Sequence, residues 1–254
     1  MKSARDTGRL TLRDKSMLAG LYLSKFDSGG LRQLGFGSFA EAFNVIGSAL
    51  GARPASLKNY RDEFDPLFPN ERKGWHKRPI RGYCKAVYDA YGALDLRDFT
   101  NLLKRIVYSE PDLDLLIEKV EEKVGENRSF ARRLLTGQAA EQYFKSKYRE
   151  IDIFSDCELE DTTNLGCGFD FRLSSSTDFY GVEVKGLNEP TGSVVLTDKE
   201  HSAAEMLRGS FFLFVVKNFR DTPFHELHRD PLAGRLAFKR AEQRMVQISW
   251  TANV

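Results

Sequence analysis

Apolar residues recur three and four apart through the first part of the chain: Phe39, Phe43, Ile46 and Leu50, then Leu57, Tyr60 and Phe64, then Leu96, Phe99, Leu103 and Ile106. Side chains at that spacing share one face of a helix, so each run predicts an amphipathic helix. Gly51 closes the first and Pro54 opens the second, the usual ends of a short helix–helix connection. Pro111-Asp112 predicts a further helix, through Leu115, Ile117 and Val120 to a stop at Gly125, and another runs from about Ser129 to Tyr148. After Tyr148 the period changes to two. Ile151–Cys157 and Gly168–Leu173 alternate, Phe179–Leu187 contains the alternating Val182-Glu183-Val184-Lys185, and Phe211–Val216 is a continuous apolar run of the kind buried on both faces. Thr197–Arg208 reads as a helix, with Thr197 as N-cap and Glu200 three residues on, a capping-box spacing. Helix, strand, strand, strand, helix, strand predicts an α/β core of three layers, a mixed sheet flanked by helices, preceded by an all-helical domain. The expected division is 1–110 helical, 111–128 a connecting helix, and 129–254 the α/β domain.

Composition adds little until charge is divided along the chain. With 41% hydrophobic residues among 254, the protein can bury a sizeable core. No apolar run approaches the roughly 18 residues that a membrane span needs, and the basic start Met1–Arg5 leads into no signal-like apolar stretch, so a cytoplasmic protein without a membrane partner is expected. Cys84, Cys157 and Cys167 are scattered and read as reduced thiols. His225 and His228 stand three apart, as metal ligands on a helix can, but no matching third ligand accompanies them and no zinc site is expected. Net charge is only +2, yet residues 1–110 hold 19 Lys+Arg against 12 Asp+Glu, and the remainder holds 19 against 24. A basic first part suggests that it meets a polyanion.

Candidate chemistry sits in the second and third strands. If Ser174 and Phe179 flank a four-residue turn, positions that sum to 353 lie opposite one another, and Asp170 faces Glu183 with β-carbons roughly 4.5–5.5 Å apart. Lys185, two residues beyond Glu183, shares that face, while Val182 and Val184 point to the other. Two converging carboxylates repel unless a cation sits between them, and hard oxygen ligands with room for water suit Mg²⁺. Such an ion stabilises charge on a scissile phosphate and activates water, with an adjacent Lys to position that water. Gly168 and Gly186 leave space for a backbone or a substrate. Taken alone, E-V-K fits a surface hairpin with a Glu–Lys salt bridge better.

The wider pattern changes that reading. G-F-D-F around Asp170, V-E-V-K-G around Glu183 and Lys185, the helix opening L-T-D-K-E at Thr197–Glu200 and the strand F-F-L-F-V-V together resemble the PD-(D/E)XK nuclease superfamily over roughly residues 130–220. More narrowly, the stretch is similar to the domain family named after the C-terminal region of the plant protein NO VEIN, often attached to bacterial restriction and defence proteins. As in that family, a G-x-x-x-E pattern, Gly137 to Glu141, precedes the strands. The resemblance implies a restriction-endonuclease-like fold, catalytic Asp170, Glu183 and Lys185, and a metal site that Glu141 helps to organise; an ordinary solvated helix Glu is the other reading of Glu141. Phe169 stands where the superfamily's name has proline.

The first half carries a second pattern. I-G-S-A-L-G-A-R-P-A-S-L-K-N-Y, residues 46–60, resembles a helix-turn-helix, in which Leu50, Leu57 and Tyr60 pack inward and Ser56, Lys58, Asn59 and Arg61 face DNA. The alternative is a helical hairpin with a solvated polar face. Downstream, Arg72, Lys73, Trp75, His76, Lys77, Arg78 and Arg81 form the densest basic stretch of the chain, cations with an interleaved aromatic that fit phosphate contact; a solvated loop anchored by Trp75 is the alternative. The expected function is therefore Mg²⁺-assisted hydrolysis of double-stranded DNA, sequence- or modification-dependent, as in a restriction endonuclease. That reading admits a homodimer and a separate modification methyltransferase, and the chain has no GxxxxGK[ST] motif for a motor of its own. A non-cutting DNA-binding defence or regulatory protein, or an RNA-directed nuclease, is the alternative.

Overall fold

A computed structural model of the protein describes residues 10–72, 78–107, 126–176, 178–234 and 236–241. The helix expected over Pro111–Gly125, and with it most of the connecting segment, lies outside the described residues, as do Lys73, Trp75, His76 and Lys77.

The helical region comprises α1 (Leu12–Leu34), α2 (Phe39–Leu50), α3 (Pro54–Phe64), α4 (Gly82–Tyr91) and α5 (Leu96–Val107). As expected, Gly51 ends α2 in a left-handed conformation (φ 72°) and Pro54 opens α3. The periodicity did not mark α1, and burial explains why. Every residue from Ser16 to Ser24 is buried, so no polar stripe alternates with an apolar one.

The α/β region runs α6 (Glu126–Lys147), β1 (Glu158–Asp161), β2 (Phe171–Ser174), β3 (Phe179–Gly186), α7 (Asp198–Leu207), β4 (Phe211–Lys217) and β5 (Phe224–Arg229). The five strands form one mixed sheet in chain order, parallel only between β3 and β4, which α7 connects. On one face, α6 lays Phe144 against Phe171 and Phe214 (ring centroids 5.2 and 4.9 Å). On the other, Ala203 and Ala204 of α7 cover Phe211 beside Phe169 and Leu207. The three layers are thus helix, sheet, helix. A continuous apolar cluster runs from α1 through α6 to the sheet face that α6 covers, and Asn44 of α2 donates to the carbonyls of Phe219 and Asp221 after β4, the first at 2.9 Å.

One expectation for the sheet is corrected. Ile151–Cys157 is not a strand: Tyr148–Glu150 and Asp152–Phe154 are 3₁₀ turns. The Phe154 N–H donates to the Ile151 carbonyl (2.8 Å) and the Cys157 N–H to the Phe154 carbonyl (3.1 Å). Period three, not two, brings Phe154 and Cys157 inward. The first strand follows at Glu158, on an edge where E-L-E-D buries no residue fully and so carries no hydrophobic signal. His225 and His228 lie on strand β5. An odd separation in a strand sends them to opposite faces, so they do not converge on one ion.

Two glycines let the layers close around β2 and β3. A Cβ on Gly186 would lie 2.6 Å from the Thr136 carbonyl oxygen of α6. One on Gly168, where φ is +88°, would lie 2.6 Å from the Lys199 carbonyl oxygen of α7. Both glycines admit protein backbone. Gly168→Ala should therefore lower stability by about 1–3 kcal/mol in urea unfolding, from clash and left-handed strain together; wild-type stability would show that α7 is not seated on this loop.

Candidate active site

The β2–β3 register is the expected one, with Phe171 opposite Val182 and Ser174 opposite Phe179. Asp170 lies one residue before β2 and is held at three points. Its N–H donates to the Val182 carbonyl (3.1 Å) and its carbonyl accepts from the Thr162 N–H (2.8 Å). Its carboxylate Oδ2 accepts from the Val184 N–H (2.8 Å). Glu183 and Lys185 stand on the sheet face that α7 covers, and Glu183 is only 3% exposed. Lys185 Nζ lies 2.6 Å from Glu183 Oε1 and 2.8 Å from Glu200 Oε2. Glu200 belongs to the first turn of α7, where the capping box expected with Thr197 is formed: the Thr197 N–H donates to Glu200 Oε2 (2.9 Å) and the Glu200 N–H to Thr197 Oγ1 (3.3 Å).

Electrostatics follow from this crowding. Burial raises the Asp170 pKa to about 6, opposed by the Val184 N–H and by Lys185. Burial, and then Asp170 itself, raise that of Glu183 to about 9. Burial favours the neutral amine of Lys185, but Glu183 and Glu200 outweigh it and hold the ammonium above its ordinary value. Among the described residues, Asp170 Oδ1 and Glu183 Oε2 accept no protein hydrogen bond. Two hard-oxygen carboxylates with acceptor capacity left over suit a divalent cation such as Mg²⁺, which commonly takes one or two carboxylates and completes its shell with water and phosphate.

Residues 138–229 match the family described as Protein NO VEIN, C-terminal. The matched stretch takes in the second half of α6, all five strands and α7, and hence Glu141, Asp170, Glu183, Lys185 and Glu200. No curated protein and no solved structure matches the chain. The likeness to the NO VEIN C-terminal family thus covers the sheet and its two helices, and α1–α5 lie before it.

The structure brings Asp170, Glu183 and Lys185 together as expected and adds Glu200, which the sequence marks only as a helix cap. Glu141 is half-buried on α6, the helix packed over the opposite face of the sheet. Among the described residues, no three His, Cys, Asp or Glu side chains are gathered as a metal cage; the unit present is the carboxylate pair with its lysine. Cys84 and Cys157 are buried thiols and Cys167 an exposed one, all free.

In the helical region, Lys58 and Asn59 are exposed on α3 and Ser56 is half-buried. Arg61 corrects the expectation that it faces outward: it is 8% exposed. It falls four residues after Leu57 and three before Phe64, on the stripe that packs inward. Its guanidinium lies over the rings of Phe39 and Phe43 (4.8 and 5.1 Å), with Nε donating to Asp62 (2.9 Å). Arg72 binds buried Asp65 through Nε and reaches Asp27 through Nη1 (2.9 and 2.8 Å). Arg78 forks onto buried Glu63 (2.9 and 2.7 Å), whose Oε1 also accepts the Arg81 N–H (2.8 Å). These arginines tie the segment that follows α3 to the helical core.

Two outcomes are expected. Both carboxyls have folded-state pKa values above their unfolded ones. The stability this contributes is complete below about pH 4 and is lost as pH rises through about 6 for Asp170 and about 9 for Glu183. In the absence of divalent ions, Glu183→Gln should flatten the fall in melting temperature between pH 5 and pH 9, gaining on the order of 1–3 kcal/mol over wild type at the upper end; parallel wild-type and variant curves would contradict the burial of Glu183. Arg61→Ala should cost about 1–3 kcal/mol, while Lys58→Ala changes stability by less than about 0.5 kcal/mol. An Arg61→Ala protein as stable as wild type but defective in DNA binding would restore the outward-facing role.

Proposed function

We propose that the protein is a Mg²⁺-dependent endodeoxyribonuclease of the PD-(D/E)XK type, with a restriction-endonuclease-like core behind a helical DNA-binding region. The observation that carries this reading is the Asp170–Glu183 carboxylate pair with Lys185 beside it, buried on one sheet face within a stretch similar to the NO VEIN C-terminal family. Asp170 and Glu183 would hold the cation. When bound, such an ion stabilises negative charge on a phosphodiester and lowers the pKa of a coordinated water. Asp170 is pre-set for this by the Val184 N–H, which fixes the direction of its carboxylate. Lys185, kept charged by its two carboxylates, offers an ammonium to orient the attacking water and to offset phosphate charge. Burial of the site raises the strength of each of these interactions over its value in water.

On the same reading, double-stranded DNA is the substrate. Exposed Lys58 and Asn59, with Ser56, supply readout and phosphate contact from α3, and Lys73, Trp75, His76 and Lys77 add cations and an aromatic. The part-exposed Arg78 and Arg81 can lend charge to a backbone while anchored to Glu63; Arg61 and Arg72 act by holding the segment in place. A cytoplasmic setting, a separate modification methyltransferase and a homodimer are compatible with this role.

Plasmid digestion tests the proposal. Purified protein with Mg²⁺ should nick or linearise DNA, and chelation should stop it. Asp170→Ala, Glu183→Ala and Lys185→Ala should each lose at least about 100-fold in rate, the scale on which single electrostatic groups act, while DNA binding in Ca²⁺ persists. Binding without any Mg²⁺-dependent cutting would favour the non-cutting defence or regulatory protein, and preferential cutting of RNA would redirect the substrate.

A further inference from the structure

Two carboxyl groups, those of Glu183 and Glu200, meet the ammonium of Lys185, and a third, that of Asp170, stands just before β2, the strand paired with β3. With all three ionised, they exceed the one ammonium by two negative charges, which one divalent cation would balance. The three are not equivalent. Glu183 extends from β3 with one oxygen on Lys185 and the other without a protein hydrogen bond. Glu200 is pinned by the helix that carries it, because the Oε2 that meets Lys185 also accepts the Thr197 N–H. Lys185 therefore bridges one carboxylate that has capacity to turn toward a cation and one that is fixed by a capping box.

We propose that Glu200 is a positioning residue of the site: by sharing the Lys185 ammonium with Glu183 it loosens the lysine's hold on that carboxylate, so that Glu183 can take the divalent cation with the ammonium still beside it. Without the Glu200 charge, Lys185 has only Glu183 as an ion-pair partner, and the lysine competes with the cation for that carboxylate. The same contact links the N-terminus of α7 to the middle of β3. The inference rests on the metal-site reading above, and its test separates the two.

The test is calorimetric titration of the full chain with Ca²⁺, so that affinity is read without turnover. Glu200→Gln suits it, because glutamine also serves at the third position of a capping box and leaves the helix start intact. It should keep the wild-type circular dichroism and melting temperature yet bind Ca²⁺ about tenfold more weakly. In a Lys185→Met background the same change should weaken binding by no more than about twofold, because the competing lysine is gone; this is a double-mutant cycle on the pair. Thr197→Ala, which removes the cap and retains the Glu200 charge, should lower stability and spare affinity. Wild-type affinity in Glu200→Gln would overturn the proposal. So would an undiminished loss in the Lys185→Met background, which would make Glu200 a direct attractor of the cation. Absence of Ca²⁺ binding by the wild-type protein would sink the metal-site reading itself, and this inference with it.

Discussion

The structure depends on holding two like-charged groups, Asp170 and Glu183, side by side under a helix on one face of a sheet. Such a pair raises the free energy of the folded state whenever both are ionised, since each resists charge through burial and Glu183 resists it further through its neighbour. The surroundings reduce that penalty only in part. The Val184 N–H serves Asp170 and the Lys185 ammonium serves Glu183, and acceptor capacity is left over on both carboxyls. A hydrophobic pair at these positions would pack more stably; keeping carboxyls there makes sense as chemistry.

Much of the scaffold can be understood as fixing that pair. The four-residue turn before Phe179 sets the β2–β3 register, and a slip by one residue would send Glu183 and Lys185 to the α6 face. The parallel step from β3 to β4 requires a crossover, and α7 provides it while its first turn delivers Glu200 to Lys185. Gly168 and Gly186 let the two helical layers approach at either end of the site. On the far side, α6 is shared between the sheet and α2, so the helical region and the site-bearing sheet have a common core.

Legibility in the sequence followed the strength of local constraint. Asp170, Glu183 and Lys185 could be placed on one face because a short turn and a period of two determine a hairpin with few alternatives. The Thr197–Glu200 cap was legible for the same reason, but its second partner was not: that Glu200 meets Lys185 depends on the crossover geometry, which no local pattern encodes. Elements without a two-sided pattern were hidden. The middle of α1, Ser16–Ser24, is buried all round, β1 is an edge strand of mostly polar residues, and β5 buries no residue fully. Arg61 misled for the opposite reason, because a cation on an inward stripe is unexpected until Asp62, Asp65 and the rings of Phe39 and Phe43 are seen around it. The family likeness, which spans residues 138–229, coincides with the part whose chemistry was most legible.

The central claim is that Asp170 and Glu183 form a divalent-cation site, and the direct measurement is anomalous diffraction from crystals of the protein soaked in Mn²⁺. The account predicts an anomalous peak between the two carboxylates, bound by an oxygen of each, with Lys185 remaining on Glu200. A peak confined to other residues, or none at millimolar Mn²⁺ with Lys185 still paired to Glu183, would contradict it.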